Sequence, residues 1–430
     1  MPDHARSAHP GVQAQLDRLA TLSPGGDRLG LERITALLDR LGRPQDQLPP
    51  VLHVAGTNGK GSTCAFLRAA LEAAGHRVHV FTSPHLVRFN ERIRLTGALI
   101  RDELLADLLG EVLDASAAIE PSFFEVTTAA AFLAFARTPA DALVLEVGMG
   151  GRLDATNVVE RPLVCGIAGL GLDHQQWLGS TLREIAAEKA GIAKPDVPLV
   201  TQAYQRPIAA RTAEVAAERG AVLLPRGVSW DAQLAGGQIR YRDQQGGLTV
   251  PQPLLPGQHQ AQNAALAIAM LRHQQELTVP DSAFSAAMGW AEWPARFQKL
   301  HPGPLIGERE VWLDGGHNAS AAVALADTVR HVIARPIHLV VGCLTTKDPR
   351  ALLEPFQDLA ASIATVPVPD HECFTTEGLA AIAEGLGLLA RPYRSVEDAV
   401  AALPLDQPAL IAGSLYLAGE VLRLNDQAPA

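Results

Sequence analysis

Val51-Leu52-His53-Val54-Ala55-Gly56-Thr57-Asn58-Gly59-Lys60-Gly61-Ser62-Thr63, running straight into Cys64-Ala65-Phe66-Leu67-Arg68-Ala69-Ala70-Leu71, is the stretch that decides the fold. An apolar strand enters a glycine-rich turn that carries one lysine and two hydroxyls, and a helix leaves it. Backbone N–H groups and a helix N-terminus then converge on one point, which is a phosphate cradle. Gly56, Gly59 and Gly61 let the backbone curl around an anion. Lys60 can reach outer phosphates, and Ser62 or Thr63 can offer a hydroxyl to Mg²⁺. The spacing departs from G-x-x-x-x-G-K-[ST] because Gly61 separates the lysine from the serine. A plain glycine turn is the competing reading. The strand before, the helix after and the paired hydroxyls argue against it.

Working outward, 430 residues suggest two domains, or three, and 47% hydrophobic content is that of a packed globular protein. A net charge of −10 gives no general reason to bind nucleic acid or an anionic membrane, so an anion site must be a local pocket centred on Lys60 and nearby arginines. Cys64, Cys165, Cys343 and Cys373 are scattered without a CxxC pair, which fits a reduced cytoplasm and indicates neither a disulfide framework nor structural zinc. A polar N-terminus and the lack of any run of ~18 apolar residues predict no signal peptide and no membrane span.

Residues 1–50 read as helical, with a break at Ser23-Pro24-Gly25-Gly26. Arg77 to Phe81 is a second strand ending in Thr82-Ser83-Pro84-His85. Ser83 stands at the carboxyl edge of the sheet, either as a metal ligand or as a turn residue. Phe89 to Arg94 reads as a solvated polar loop. In Pro121 to Phe135, adjacent aromatics beside Glu125 form either a wall for a flat aromatic ligand or ordinary core. Ala142 to Val147 is a strand with Glu146 inside an apolar run, so its carboxylate requires a cation, a metal or a proton. Gly148 to Asn157 reads as a mobile loop. Leu163 to Ala168 is another strand, with Gly171-Leu172-Asp173-His174 at its end. Three strand ends thus bring Ser83, Glu146 and His174 to one edge, an O, O, N donor set that nucleotide phosphates would complete around Mg²⁺. Lys189 lies near the glycine stop of the next helix. There a favourable meeting with the helix's negative end is the local reading. A small antiparallel excursion follows between Leu223 and Pro256. A second α/β unit begins after residue 297, and the predicted division is 1–296 and 297–430.

These motifs resemble the folylpolyglutamate synthase and dihydrofolate synthase family of the Mur ligase superfamily. The similarity runs in order through Gly56 to Ser62, Thr82 to His85, Glu146 to Asn157, Leu172-Asp173-His174, Glu188-Lys189-Ala190-Gly191-Ile192, Leu313-Asp314-Gly315-Gly316-His317-Asn318 and Gly413-Ser414-Leu415-Tyr416-Leu417. Met149, Gly315-Gly316 and Ala168-Gly169-Leu170 depart slightly from the usual pattern. The resemblance implies an α/β fold, with a P-loop Mur-ligase-type nucleotide-binding domain and a smaller Rossmann-like domain. It implies an ATP-dependent ligase that adds L-glutamate to dihydropteroate, to reduced folates or to both, through an acyl phosphate. Gly56, Thr57, Asn58, Gly59, Lys60, Gly61 and Ser62, with Asn263, Arg296 and Asp314, would bind ATP. Ser83, Glu146 and His174 would hold two Mg²⁺ ions. Lys60, Lys189 and His317 would be catalytic, with Lys189 carbamylated and His317 near the incoming amino acid. Phe124, Arg152, Leu153, Asp154 and Ala155, with Leu29 to Leu31, would line the pterin pocket. A cytoplasmic monomer that closes on ATP is expected. Folylpolyglutamate synthase activity alone is a narrower alternative. A cell-wall Mur ligase would usually carry a further N-terminal domain, and about 50 residues precede the phosphate loop here. A nucleotide-sensing module without chemistry would leave Glu146 and His174 unexplained.

Overall fold

A computed structural model describes residues 5–22 and 29–429, so the expected helix break at Ser23 to Gly26 lies outside the described residues. The chain forms two compact units. The first runs to Leu254 and takes in Ala261–Ala291, and the second holds Leu255–Gln260 and Glu292–Pro429.

The first unit is built on strands β1 (Val51–Ala55), β2 (Val78–Phe81), β3 (Ile93–Leu95), β4 (Ala98–Leu99), β5 (Ala142–Glu146), β6 (Val164–Ile167), β7 (Pro198–Thr201) and β8 (Val222–Pro225). Their order in the sheet is β4-β3-β2-β5-β1-β6-β7-β8, parallel from β2 to β8. β3 and β4 form an antiparallel edge. β1 and β5 are buried along their whole length, as central strands with both faces covered must be. Helices α1 (Pro10–Leu22), α2 (Glu32–Arg40), α3 (Lys60–Ala73), α4 (Asp102–Ala115), α5 (Phe123–Arg137), α6 (Gln175–Leu178) and α7 (Leu182–Ala190) precede β7.

Val12, Leu16 and Leu19 of α1, Ile34, Leu37 and Leu38 of α2, Leu105 and Leu109 of α4 and Val126 and Phe132 of α5 make one core with Leu143 and Leu145. A second core sets Ala190 and Ile192 against Cys165, Ile167 and Leu199. Gly166 admits Met270, since a Cβ there would sit 2.3 Å from its sulfur. The antiparallel excursion is a three-stranded sheet of β9 (Trp230–Ala235), β10 (Gln238–Asp243) and β11 (Gly246–Pro251).

Phe89 to Arg94 departs from the solvated loop expected of it. Arg92 is buried, its Nε donating to His85 Nδ1 at 2.9 Å while its guanidinium lies 5.3 Å and 5.5 Å from the Phe89 and Phe123 rings. The aromatic rings on either side supply a partner surface for the cation that local polarity does not reveal.

The second unit carries β12 (Gln298–Lys299), β13 (Val311–Leu313), β14 (Ile337–Val341), β15 (Ala360–Thr365), β16 (Ala390–Pro392) and β17 (Ala409–Ala412) in the order β12-β13-β17-β14-β15-β16. Every pairing after β12 is parallel. Leu339, Val341, Ile363 and Leu410 of this sheet pack with Leu325 and Val329 of the helix Ala319–Val332.

Candidate active site

β1 ends at Ala55, and α3 begins at Lys60 with Gly59 as its N-cap at φ +85°. Only glycine takes that angle without strain, and a Cβ would sit 2.3 Å from Asn263 Oδ1. The Asn263 side chain therefore lies against the loop. Thr57 and Asn58 N–H groups both donate to Gly169 O, at 2.8 Å and 3.1 Å, and Thr57 Oγ1 donates to Gly171 O at 3.0 Å. These bonds pin the His174 segment to the phosphate loop. Thr63 Oγ1 gives its hydrogen to Gly59 O at 2.8 Å, which leaves it only its lone pairs, so of the two candidate hydroxyls Ser62 is the one that can donate to a phosphate. The open N–H groups of the first turn and the bare glycine backbone fit a nucleotide's phosphates.

Lys60 Nζ lies 3.8 Å from Glu146 Oε1 at the end of β5, and Ser83 N–H donates to Glu146 Oε2 at 3.2 Å. Lys60, Ser83 and Glu146 are thus one cluster. A buried carboxylate, a hydroxyl and adjoining phosphate oxygens are hard donors, a set that fits a divalent cation. His174 stands at the start of α6 in left-handed conformation with a half-exposed ring. Among the described residues no three His, Cys, Asp or Glu side chains converge as a preformed metal cage.

Lys189 is buried, and its Nζ donates to Gly56 O at 3.0 Å. Burial, with the positive charge of Lys60 adding to it, lowers its pKa from 10.5 to about 7. The local reading, a lysine meeting its own helix end, missed this contact across 133 positions of sequence.

Gly148 to Asn157 is anchored, where a mobile loop was expected. Asp154 Oδ1 accepts Thr156 N–H at 3.0 Å and Thr156 Oγ1–H at 2.5 Å, and Oδ2 accepts Met149 N–H at 2.8 Å. Burial holds the Asp154 carboxyl above its usual range, opposed by those bonds. Arg152 N–H donates to Glu188 O at 2.8 Å, and its guanidinium holds Glu188 Oε1 at 2.8 Å and 3.0 Å. Asn157 Nδ2 donates to Arg152 O and Gly191 O. Phe124 packs on Gly148, where a Cβ would be 2.4 Å from its ring, and shares a core with Leu31 and Ala155. Leu153 is half-buried. Next to Phe124, Glu125 accepts Ser122 N–H and Arg33 Nε–H on Oε2, while its buried Oε1 has no hydrogen-bond partner among the described residues.

In the second unit Arg296, Asp314 and His317 gather around one turn. Asp314 Oδ2 accepts Phe297 N–H at 2.8 Å and Oδ1 accepts Gly316 N–H at 2.6 Å. Arg296 Nη1 donates to Ala295 O at 2.8 Å, and His317 Nδ1 lies 3.0 Å from Gly315 O. His259, which carries no signal in the sequence reading, adds a half-buried imidazole that feels the Asp314 charge and is held below its ordinary pKa by desolvation.

A phosphate loop at the centre of a parallel sheet, with a buried carboxylate beside its lysine, defines a nucleotide-dependent enzyme. Residues 54–271 match the Mur ligase middle domain. A Bacillus subtilis dihydrofolate synthase/folylpolyglutamate synthase is 38% identical over 355 residues, covering 79% of this chain and 81% of that protein. The structure of Escherichia coli FolC in complex with DHPP and ADP superposes with a TM-score of 0.88 at 33% identity, covering 97% and 98% of the two chains. A bifunctional folylpolyglutamate synthase/dihydrofolate synthase from Yersinia pestis, complexed with AMPPNP and Mn ion, gives 0.86 at 32%, covering 98% and 99%. The chain belongs to the folylpolyglutamate synthase and dihydrofolate synthase family of Mur ligases, and it is an ATP-dependent ligase. No described helix is long and apolar enough to cross a membrane.

Proposed function

We propose that this enzyme adds L-glutamate both to dihydropteroate and to reduced folates. The observation that carries the reading is that Lys60 and Asp154 follow adjacent strands, β1 and β5, of one sheet, with Glu146 bridging towards the lysine. One ligand at the Asp154 and Phe124 pocket can then extend a carboxylate arm towards the phosphate loop.

The chemistry follows from the poor leaving group of a carboxylic acid. The γ-phosphate of ATP passes to the acid's oxygen, giving an acyl phosphate. The glutamate amine then adds to that carbonyl, and phosphate leaves from the tetrahedral intermediate as the amine gives up a proton. Catalysis of this kind rests on positioning and charge neutralisation. Gly56, Gly59, Gly61 and Ser62 hold the phosphates through backbone and hydroxyl donors, Thr57 and Asn58 shape the loop around the anion through their bonds to Gly169 and Gly171, and Lys60 draws the transferring group's charge. Asn263 supports the loop. Arg296 and Asp314 bind the nucleotide, and His317 orients the amino acid. Two Mg²⁺ ions, held by Ser83, Glu146 and His174 together with the phosphates, would neutralise phosphate charge. Phe124, Arg152, Leu153, Asp154 and Ala155 position the acid.

Lys189 is carbamylated in this reading. An amine that is neutral near pH 7 has its lone pair free to attack CO₂, losing one proton and becoming an anion where an ammonium would face cations. Lys189→Ala is expected to keep its fold and lose at least about 100-fold in kcat, an effect of the size of removing one electrostatic stabiliser. Short carboxylic acids should restore part of that activity; full activity without them refutes the carbamate.

The central experiment incubates the enzyme, MgATP and L-glutamate with dihydropteroate or tetrahydrofolate separately and identifies the products. Glutamylation of both acids is expected. Consumption of one acid alone overturns dual activity.

A further inference from the structure

His53 occupies the middle of β1, fully buried, paired in register with Leu145 and Cys165. Its neighbours Leu52 and Val54 are what a central parallel strand calls for, and an imidazole is not. Burial, with Lys194 adding to it, pushes its pKa down to about 3, so the ring is neutral and carries one N–H. Nε2 lies 2.9 Å from Thr156 Oγ1, and Nδ1 is buried with no hydrogen-bond partner among the described residues.

The direction of each hydrogen bond follows by elimination. As a carboxylate Asp154 has no hydrogen to give, and it accepts two backbone N–H groups, from Thr156 and Met149. The hydrogen between Thr156 Oγ1 and Asp154 Oδ1 is then the threonine's own. Thr156 has no second hydrogen, so His53 donates to it from Nε2. The Nδ1 lone pair is left buried without a hydrogen-bond partner among the described residues, which costs free energy.

This chain of donors determines what Asp154 can still accept. Among the described residues Oδ1 already takes two hydrogens and Oδ2 takes one, so a single lone pair on Oδ2 stays open. We propose that His53 is a positioning residue for the acid substrate: through Thr156 it locks the Asp154 carboxylate so that Oδ2 receives one N–H from a planar heteroaromatic ring. The inference rests on the reading that Asp154 belongs to the acid pocket. It also explains why the histidine stands on β1, whose next residues form the phosphate loop. One strand then sets the height of both the ring anchor and Lys60.

The test varies the pteroate-type acid at saturating MgATP and glutamate, using the full chain. His53→Leu and Thr156→Val are each expected to raise the acid's KM about tenfold, the order expected for a lost buried hydrogen bond, with kcat and the KM for ATP within about twofold. His53→Gln and Thr156→Ser, which keep a donor and a hydroxyl, should recover most of the affinity. Asp154→Asn should raise the same KM, and His53→Leu added to it should have no further effect. If Asp154→Asn raises the KM while His53→Leu and Thr156→Val leave it unchanged, the relay is wrong and the pocket stands. If Asp154→Asn itself leaves it unchanged, the pocket reading fails. Equal losses in kcat and every KM, without recovery in His53→Gln, show a purely structural histidine and overturn the proposal. Should His53→Leu not fold, the Thr156→Val and Thr156→Ser pair decides by the same criteria.

Discussion

The loops that leave β1 and β5 stand side by side on one sheet and are held in different ways. Gly56 to Ser62 is built from backbone: a left-handed glycine, a helix N-terminus, and the Thr57 and Asn58 N–H groups on Gly169 O. Gly148 to Asn157 is built from side chains: Asp154 on its own backbone, Thr156 on His53, Arg152 on Glu188, and Lys194 Nζ on Asn157 O at 2.9 Å. A loop of the first kind can bind an anion of any shape. A loop of the second kind presents a few fixed acceptors and therefore selects.

The comparison can be broken most directly at Gly59. Gly59→Ala places a methyl 2.3 Å from Asn263 Oδ1 at a φ of +85°. Activity is expected to fall at least about 100-fold with the far-UV spectrum unchanged, because misplacement of about 1 Å in a positioning site has that scale. Near wild-type turnover would show that the backbone path is not what binds the phosphates.

A smaller effect sharpens the contrast through Lys189, which touches the phosphate loop from the helix that docks the second loop. In the folded chain it loses its proton near pH 7, in the unfolded chain near 10.5. The unfolded state therefore binds more protons between those values, and stability rises with pH across that window. Below about 7 both states are protonated and the full penalty of burying the ammonium applies. Denaturant unfolding in bicarbonate-free buffer should show this rise, and Lys189→Met should flatten it. Equal slopes in the two proteins would contradict the assignment.

The smallest effect is expected at Arg152. Its ion pair with Glu188 is half-exposed, and such pairs contribute about 0–1 kcal/mol. Arg152→Ala should shift the thermal midpoint by no more than about 2 °C, since the backbone bond to Glu188 O survives. A loss of several degrees would mean that the side chain, and not the backbone, docks the loop.

Much of this site is legible along the chain because it is local. The strand, glycines, lysine and helix of the phosphate cradle occupy consecutive positions, and Glu146 announces itself as a charge inside an apolar strand. Arg92 was misread because its partners, His85 and the Phe89 and Phe123 rings, must come together in space before a polar run can be buried. His53 carried no signal at all beyond being polar in a strand. A hint was available in that fact, since a buried polar group requires a partner.

What the sequence by itself determined are the features governed by neighbours a few residues apart: the order of strands and helices, the glycine turn of the phosphate cradle and the family to which the motifs point. What only the tertiary structure decided are the bonds between distant residues. Lys189 reaches Gly56 and His53 reaches Thr156, more than a hundred positions away in each case. The reason is physical. A turn or a cap depends on local backbone geometry, whereas the charge state of a buried lysine and the free lone pair of a buried aspartate depend on which groups the fold packs around them.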